Sequence, residues 1–249
     1  MIPKVLHYVW VGHDPIPADQ ASWIEGWREL MPDWEVRRWG NCDIDWTVPF
    51  LRQAATVQAW NRISDWMRMH AVATMGGVYL DTDVELIKPL DPLLGDGTCA
   101  FLGAQETKSD SPNLFSAAIL GSPPGHWLPE AAKSRLEELD ARDELDCYTG
   151  PGVITEILRE RGIEGYPSQP VERSGVRVYP IDYFYPYSWT QFFEEGCVTE
   201  NSYTVHHWAH TWNPARGSRM TRARRKFRNL LARIAPARSV KAAQKALQK

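Results

Sequence analysis

Gly76-Gly77-Val78-Tyr79-Leu80-Asp81-Thr82-Asp83 is the most informative segment of this 249-residue chain. Two glycines end a helical pattern, an apolar strand follows, and two aspartates stand directly after it. In open α/β sheets, ligands bind beyond the carboxyl ends of the strands. The segment therefore predicts a buried strand whose end carries a polar site.

The two aspartates, Asp81 and Asp83, are candidate metal ligands. Residues i and i+2 of an extended chain point the same way, so both carboxylates could hold one hard cation such as Mg²⁺, Mn²⁺ or Ca²⁺. The alternative is a solvated turn without a ligand. The glycines and the apolar strand favour the metal site, because the strand must be buried while its end meets solvent.

The helix predicted over residues 57–75 carries Ser64, Asp65 and Arg68 within one turn. Asp65 and Arg68 share a face because they are three residues apart. Two interpretations stay open for them. They form either a surface ion pair, worth under about 1 kcal/mol, or a polar face that borders the pocket at Asp81.

Strand and helix patterns alternate through the rest of the body. Strands are predicted over 4–11, 34–39, 78–80, 84–87, 98–104, 114–120 and 203–208, and helices over 18–31, 57–75, 126–140 and 150–161. Residues 176–189 give no assignment. The alternation predicts an α/β fold with a mostly parallel sheet and helices on both faces.

Histidines cluster near the end of this body. His206 and His207 would point to opposite sides of a strand, and His210 follows them closely. These side chains are either core and surface residues, or one of them completes the ligand set of the cation. A nitrogen ligand beside carboxylates would favour Mn²⁺ over Mg²⁺.

The charge of the chain is divided unevenly. Net charge is −3, yet residues 216–249 hold twelve Lys or Arg and no acid, which leaves the preceding residues acidic. We therefore divide the chain into a body over 1–213 and a basic tail over 214–249. Residues 219–235 predict a basic amphipathic helix, which favours an anionic membrane surface over a solvated or body-packed tail. Nucleic acid is disfavoured because Phe227 is the tail's single aromatic residue.

Three features indicate a cytoplasmic protein, which the tail would hold at the inner face of the cell membrane. No apolar run reaches the roughly 18 residues of a membrane span. The N-terminus lacks the pattern of a signal peptide. The cysteines stand roughly 50 residues apart, which suits neither a disulfide framework nor a zinc site.

Taken together, these motifs resemble one family. The opening segment 2–12, Ser64-Asp65-x-x-Arg68, the 76–83 segment and His206-His207-Trp208 with Trp212 are similar to the DXD-motif sugar transferases. That family contains the yeast initiating α-mannosyltransferase, bacterial capsule and lipopolysaccharide transferases and the large clostridial glucosylating toxins. The resemblance implies a GT-A-type, Rossmann-like fold, a nucleotide-sugar donor, a divalent metal and retention of the anomeric configuration.

The resemblance also implies roles for donor-binding residues. Trp10 matches the tryptophan that stacks on the donor base, although a core tryptophan in the first strand is the alternative. Asp65 and Arg68 match the acid and base that hold the donor's ribose and sugar hydroxyls, with Ser64 beside them. Gly150 falls in a short segment similar to one that lines the sugar pocket.

For the metal, the resemblance implies Mn²⁺ or Mg²⁺ bound at Asp81 and Asp83, which also serve as catalytic residues together with Arg68. His206 matches a C-terminal contact to the metal or the diphosphate. His207 is a rival, because the alignment there can slip by one residue.

We therefore expect a retaining transferase that moves a sugar from a UDP- or GDP-sugar to a glycan or lipid-linked acceptor in capsule or lipopolysaccharide synthesis. A non-catalytic nucleotide- or glycan-binding module shares every motif. A toxin-like effector that glycosylates a protein is a further alternative. A metal phosphohydrolase is disfavoured because two-metal sites need more His and Asp ligands.

Overall fold

A computed structural model describes residues 1–95, 99–139, 150–191 and 193–209. The strands are β1 Val5–Val9, β2 Glu35–Trp39, β3 Gly77–Leu80, β4 Val84–Leu86, β5 Ala100–Ala104, β6 Phe115–Ser122, β7 Val171–Arg173, β8 Val176–Tyr179 and β9 Thr204–His206. The helices are α1 Ala18–Leu30, α2 Pro49–Thr56, α3 Trp60–Met75, α4 Trp127–Glu137, α5 Gly150–Glu160 and α6 Ile181–Phe184.

Seven of these strands form one sheet in the order β2-β1-β3-β6-β5-β8-β7. Strand β1 runs parallel to β2 and β3, and β5 runs parallel to β8. Strand β6 is antiparallel to both of its neighbours, and β7 is an antiparallel edge. The predicted α/β fold with a mostly parallel sheet is confirmed.

The sheet separates two apolar layers, as alternation along its strands requires. Val78 and Leu80 of β3 join the layer under α1 and α6, whereas Tyr79 joins the layer under α2, α3, α4 and α5. All three side chains are buried. Helices therefore cover both faces, and β3 is buried on both sides as the sequence predicts.

The strand predicted over 203–208 does not extend the main sheet. It shortens to β9 and pairs antiparallel with β4, with Val84 opposite His206. This small sheet lies on the α1 side of the molecule, where Trp27 of α1 donates to the Val84 carbonyl. Through this pairing, His206 lies opposite Val84, the residue that follows Asp83.

The prediction of a helix over 57–75 was wrong at its N-terminal end. The helix begins at Trp60, and a separate helix, α2, precedes it. Gln58 between them has a left-handed φ of 53°, which ends the helical path. Pro49 at the first turn of α2 was the available signal. At the other end, the left-handed φ of 66° at Gly76 closes α3, as expected.

Residues 176–189, which gave no assignment, contain β8 and α6, and β7 was missed because its side chains show no buried alternation. The predicted 213/214 boundary, the 219–235 helix, His210 and Trp212 lie outside the described residues. Among the described helices, none combines the length and apolarity that crossing a membrane requires.

Candidate active site

Asp81 and Asp83 lie on a tight turn and not on the extended chain that we expected to orient their carboxylates. The Val84 N–H donates to the Asp81 carbonyl at 3.0 Å, and the Asp81 N–H donates to the Ala118 carbonyl of β6 at 2.8 Å. The first bond reverses the chain directly after β3. The carboxylates converge because of this turn and not because of strand alternation.

His206 completes the group. Its Nε2 lies 3.1 Å from Oδ1 of Asp83 and 3.9 Å from Oδ2 of Asp81. One ligand atom from each of the three residues lies within 4.8 Å of the others. The Ala209 N–H donates to the second oxygen of Asp83 at 2.6 Å, which fixes that carboxylate.

This donor set fits a divalent cation. Bonds of about 2.1 Å place neighbouring ligands of an octahedral ion about 3 Å apart and opposite ligands about 4 Å apart. The observed spread needs only small side-chain shifts to match that geometry. Two carboxylates and an imidazole nitrogen are suitable ligands for such a cation. The ligands would be Asp81, Asp83 and His206.

His207, the rival ligand, points away from both carboxylates. Its Nε2 lies 2.8 Å from Oε2 of Glu85, and its ring stacks on Trp23 of α1 with centroids 4.2 Å apart and planes 3° from parallel. Its backbone N–H still donates to the Asp83 carbonyl at 2.9 Å. Alternation along the chain therefore separates the two histidines, as expected.

Arg68 joins the helix motif to the aspartate turn. Its Nη2 lies 3.2 Å from Oδ1 of Asp65 and 3.0 Å from Oδ1 of Asp81. The Arg68 and Asp65 side chains are only 9% and 10% exposed, so the surface-pair interpretation was wrong. The Gly150 N–H at the start of α5 donates to the other oxygen of Asp65 at 3.1 Å.

Tyr79 is a site residue that we did not predict. Its hydroxyl donates to Oδ1 of Asp81 at 2.8 Å, and the Arg68 guanidinium lies over its ring at 4.8 Å. Ser64 lies beside the same hydroxyl. The available signal was period-two alternation, which places residue 79 on the same side of β3 as residue 81.

Burial and neighbouring charges oppose each other at these carboxyls. Burial raises the pKa of Asp65 and of Asp81, although Arg68 favours the charged form of both. Burial would raise the pKa of Asp83 too, but His206 and the Ala209 N–H outweigh it and hold this pKa well below its usual range. Asp83 is therefore the most firmly ionised member of the group.

Two buried polar atoms at this site have no hydrogen-bond partner within the described part of the chain. They are Nε of Arg68 and Nδ1 of His206. Buried polar atoms are ordinarily satisfied, and an orphaned one beside charged side chains points to a missing ligand or water. The site therefore keeps polar capacity for a further molecule.

Trp10 lies just beyond β1 and outside the buried core. Its Nε1 donates to the Asp14 carbonyl at 2.8 Å, and its side chain is partly exposed. Strands β1 and β3 are parallel neighbours with His7 opposite Tyr79, so Trp10 and Asp81 follow strands that end at one edge of the sheet. A partly exposed indole at this edge is available to stack on a planar group.

Two family models match the chain in sequence. Residues 17–100 match the "Glycosyltransferase sugar-binding region containing DXD motif", and residues 142–235 match the "Alpha 1,4-glycosyltransferase conserved region". The first match contains α1, the Asp65–Arg68 turn of α3 and both aspartates.

Two curated relatives are similar over part of the chain. The chain is 26% identical over 133 residues to the uncharacterized glycosyltransferase L373 of Acanthamoeba polyphaga mimivirus, covering 51% of this chain and 52% of that protein. It is 28% identical over 109 residues to inositol phosphoceramide mannosyltransferase 1 of Schizosaccharomyces pombe, covering 39% of this chain and 33% of that protein. The matches thus span about half and a third of these relatives' lengths.

The fold is similar to that of a solved glycosyltransferase involved in the glycosylation of the major capsid of PBCV-1. The TM-score is 0.51 at 11% sequence identity, and the match covers 92% of this chain and 100% of that one. At this identity the likeness concerns the fold alone, a GT-A arrangement. Residues 17–100 therefore match a DXD-type glycosyltransferase region in sequence, and the body shares the fold of a solved glycosyltransferase.

Proposed function

We propose that this protein transfers a sugar from a UDP- or GDP-sugar, using a divalent cation held by Asp81, Asp83 and His206. The observation that carries the proposal is the convergence of these three ligand atoms within 4.8 Å beside the buried Arg68. A hydrolytic two-metal site would need a larger set of ligands than this one.

The chain's own residues provide for binding and orientation of the donor. Bare carboxylates would repel a diphosphate, and a bound cation supplies the Lewis acid that neutralises charge on the leaving group. The orphaned Nε of Arg68 can donate to a donor oxygen while Nη2 stays on Asp65 and Asp81. Trp10 offers a planar face for the base, worth about 1–3 kcal/mol.

The proposal includes retention of the anomeric configuration, which rests on the family resemblance. In such a reaction the leaving phosphate itself takes the proton of the acceptor hydroxyl, so no separate base is assigned. Proton NMR of the first product formed tests this part. An inverted anomer would contradict it.

The test of donor use begins with purified protein, Mn²⁺ and a panel of UDP- and GDP-sugars. We expect one donor to raise the melting temperature and to be slowly hydrolysed, since a ligand of the folded state stabilises it by mass action. Asp83→Asn and Asp81→Ala should abolish hydrolysis, and the exposed Asp33→Asn should not. Binding without any turnover would favour a non-catalytic module instead.

We further propose a glycan or lipid-linked acceptor and attachment of residues 219–235 to an anionic membrane at the cytoplasmic face. The support is the sequence, because twelve bases and no acid occupy residues 216–249. Sedimentation with phosphatidylglycerol vesicles should carry down the full chain but not a chain ending at residue 213. Equal binding to phosphatidylcholine, or transfer to protein acceptors alone, would count against this.

A further inference from the structure

Helix α1 contacts the aspartate turn through the side chain between the two aspartates. The Thr82 hydroxyl donates to Oε1 of Gln20 at 2.8 Å. Gln20 is 1% exposed and Thr82 is 8% exposed, so water does not compete for this bond. A hydroxyl in such a place has one conformation while the amide is present and loses its partner when the amide is removed.

A second contact from the same helix holds the other side of Asp83. Nε1 of Trp27 donates to the Val84 carbonyl at 2.9 Å, with both residues fully buried. Gln20 and Trp27 are seven residues apart, which is two helical turns and therefore one face of α1. One face of α1 therefore forms hydrogen bonds to Thr82 and Val84, the residues before and after Asp83.

We infer that Gln20 is a positioning residue for the metal centre and acts through Thr82. The inference rests on the proposed function, because it requires that Asp81 and Asp83 bind a cation. The turn has a single internal backbone bond, from Val84 to Asp81, and its middle residue is held by Gln20. Loss of that contact removes the side-chain restraint on Thr82, so the backbone between the two carboxylates is less well pre-organised for one ion.

The experiment titrates metal-free protein with Mn²⁺ and reads free Mn²⁺ by electron paramagnetic resonance. Residues that orient metal ligands ordinarily contribute 10- to 100-fold in affinity, so Thr82→Val and Gln20→Leu should each raise the Kd for Mn²⁺ by about that factor. Thr82→Ser keeps the hydroxyl and should bind almost as well as wild type. The double variant should bind no more weakly than either single one, because both remove the same contact.

Thr155→Val is the matched control. Its hydroxyl accepts from the Phe115 N–H at 3.0 Å and is also buried, but it belongs to α5 and not to the aspartate turn. It should lower the melting temperature of the metal-free protein without changing the Kd. If Thr82→Val does not fold, Gln20→Leu carries the comparison alone.

The outcomes separate this inference from the proposed function. Absence of Mn²⁺ binding by the wild type would overturn the proposed function itself. A wild type that binds, beside Thr82→Val or Gln20→Leu with unchanged Kd, would overturn only the positioning role. Additive losses in the double variant, or an equal loss in Thr155→Val, would overturn it as well, since they would indicate a general loss of stability.

Discussion

Nη2 of Arg68 lies 3.0 Å from Oδ1 of Asp81, so the helix motif and the aspartate turn meet in one largely buried ion pair. The residues are 13 positions apart in sequence and lie on different elements. A single guanidinium therefore links the residues assigned to the donor with those assigned to the metal. A substitution in either group is expected to shift the other.

Removing that guanidinium should destabilise the protein strongly. Arg68→Met leaves the buried Asp65 and the partly buried Asp81 without the counter-charge that they share, and we expect the free energy of unfolding to fall by about 3–5 kcal/mol. The matched control is Arg28→Met, which breaks an exposed i,i+3 pair with Glu25. That change should cost under about 1 kcal/mol. Urea denaturation measures both, and equal losses would contradict the buried pair.

The two adjacent histidines should differ sharply in metal binding. Mn²⁺ at about 100 times its Kd should raise the free energy of unfolding of the wild type by about 2.7 kcal/mol. His206→Asn should lose most of this gain, because it removes a ligand. His207→Asn should retain it, because that ring faces Glu85 and Trp23. Thermal unfolding with and without Mn²⁺ checks this, and the opposite ranking would favour His207 as the ligand.

A methyl group at Gly150 should disturb Asp65. A Cβ there would stand 2.7 Å from Oδ1 of Asp65, so the buried carboxylate must move away from Arg68. We expect Gly150→Ala to cost about 1–3 kcal/mol of stability and to reduce donor hydrolysis at least tenfold. Gly26→Ala within α1 is the control, since its Cβ would meet nothing within 4 Å. It should stabilise by about 0.5–1 kcal/mol, as measured by thermal unfolding. Unchanged hydrolysis in Gly150→Ala would contradict the role of Asp65.

His7 should make the fold sensitive to acid. Burial lowers the pKa of His7 below its usual 6.5, although the bond to the Gly76 carbonyl favours the charged form. Trp39 donates its indole N–H to Nδ1 at 3.1 Å, so the neutral ring is protonated on Nε2 and already has both partners. Protonation of Nδ1 would place its N–H against the indole N–H of Trp39, so this hydrogen bond would be lost.

The sign of the effect follows from this lowered pKa. As the pH falls below about 6.5, His7 binds a proton in the unfolded chain but stays neutral in the folded chain. The free energy of unfolding therefore decreases. His7→Gln should lower stability at pH 7.5 by about 1–3 kcal/mol and should also flatten the dependence between pH 6.5 and 5. Urea denaturation across this range measures both effects, and an unchanged slope would contradict the assignment.

The fold class could be predicted because its signals are local. The apolar alternation around β3, the glycine that closes α3 and the aspartates after the strand depend on neighbours a few residues away. The elements that were missed had weak local signals. The break between α2 and α3, for example, depends on the left-handed φ of Gln58, a residue type that does not by itself predict such a conformation. The residue types of the site were visible for the same reason.

Sequence patterns established which residue types this chain carries at a strand end and on which side of an element each one lies. Long-range packing established the partners: Gly150 for Asp65 across 85 positions, Gln20 for Thr82 across 62, and the register that sets His206 rather than His207 beside Asp83. Helical and strand periods specify a direction from the backbone, whereas a partner depends on how distant segments bury their apolar faces together. That burial turned an ordinary Asp-x-x-Arg helix pair into a buried link to the aspartate turn.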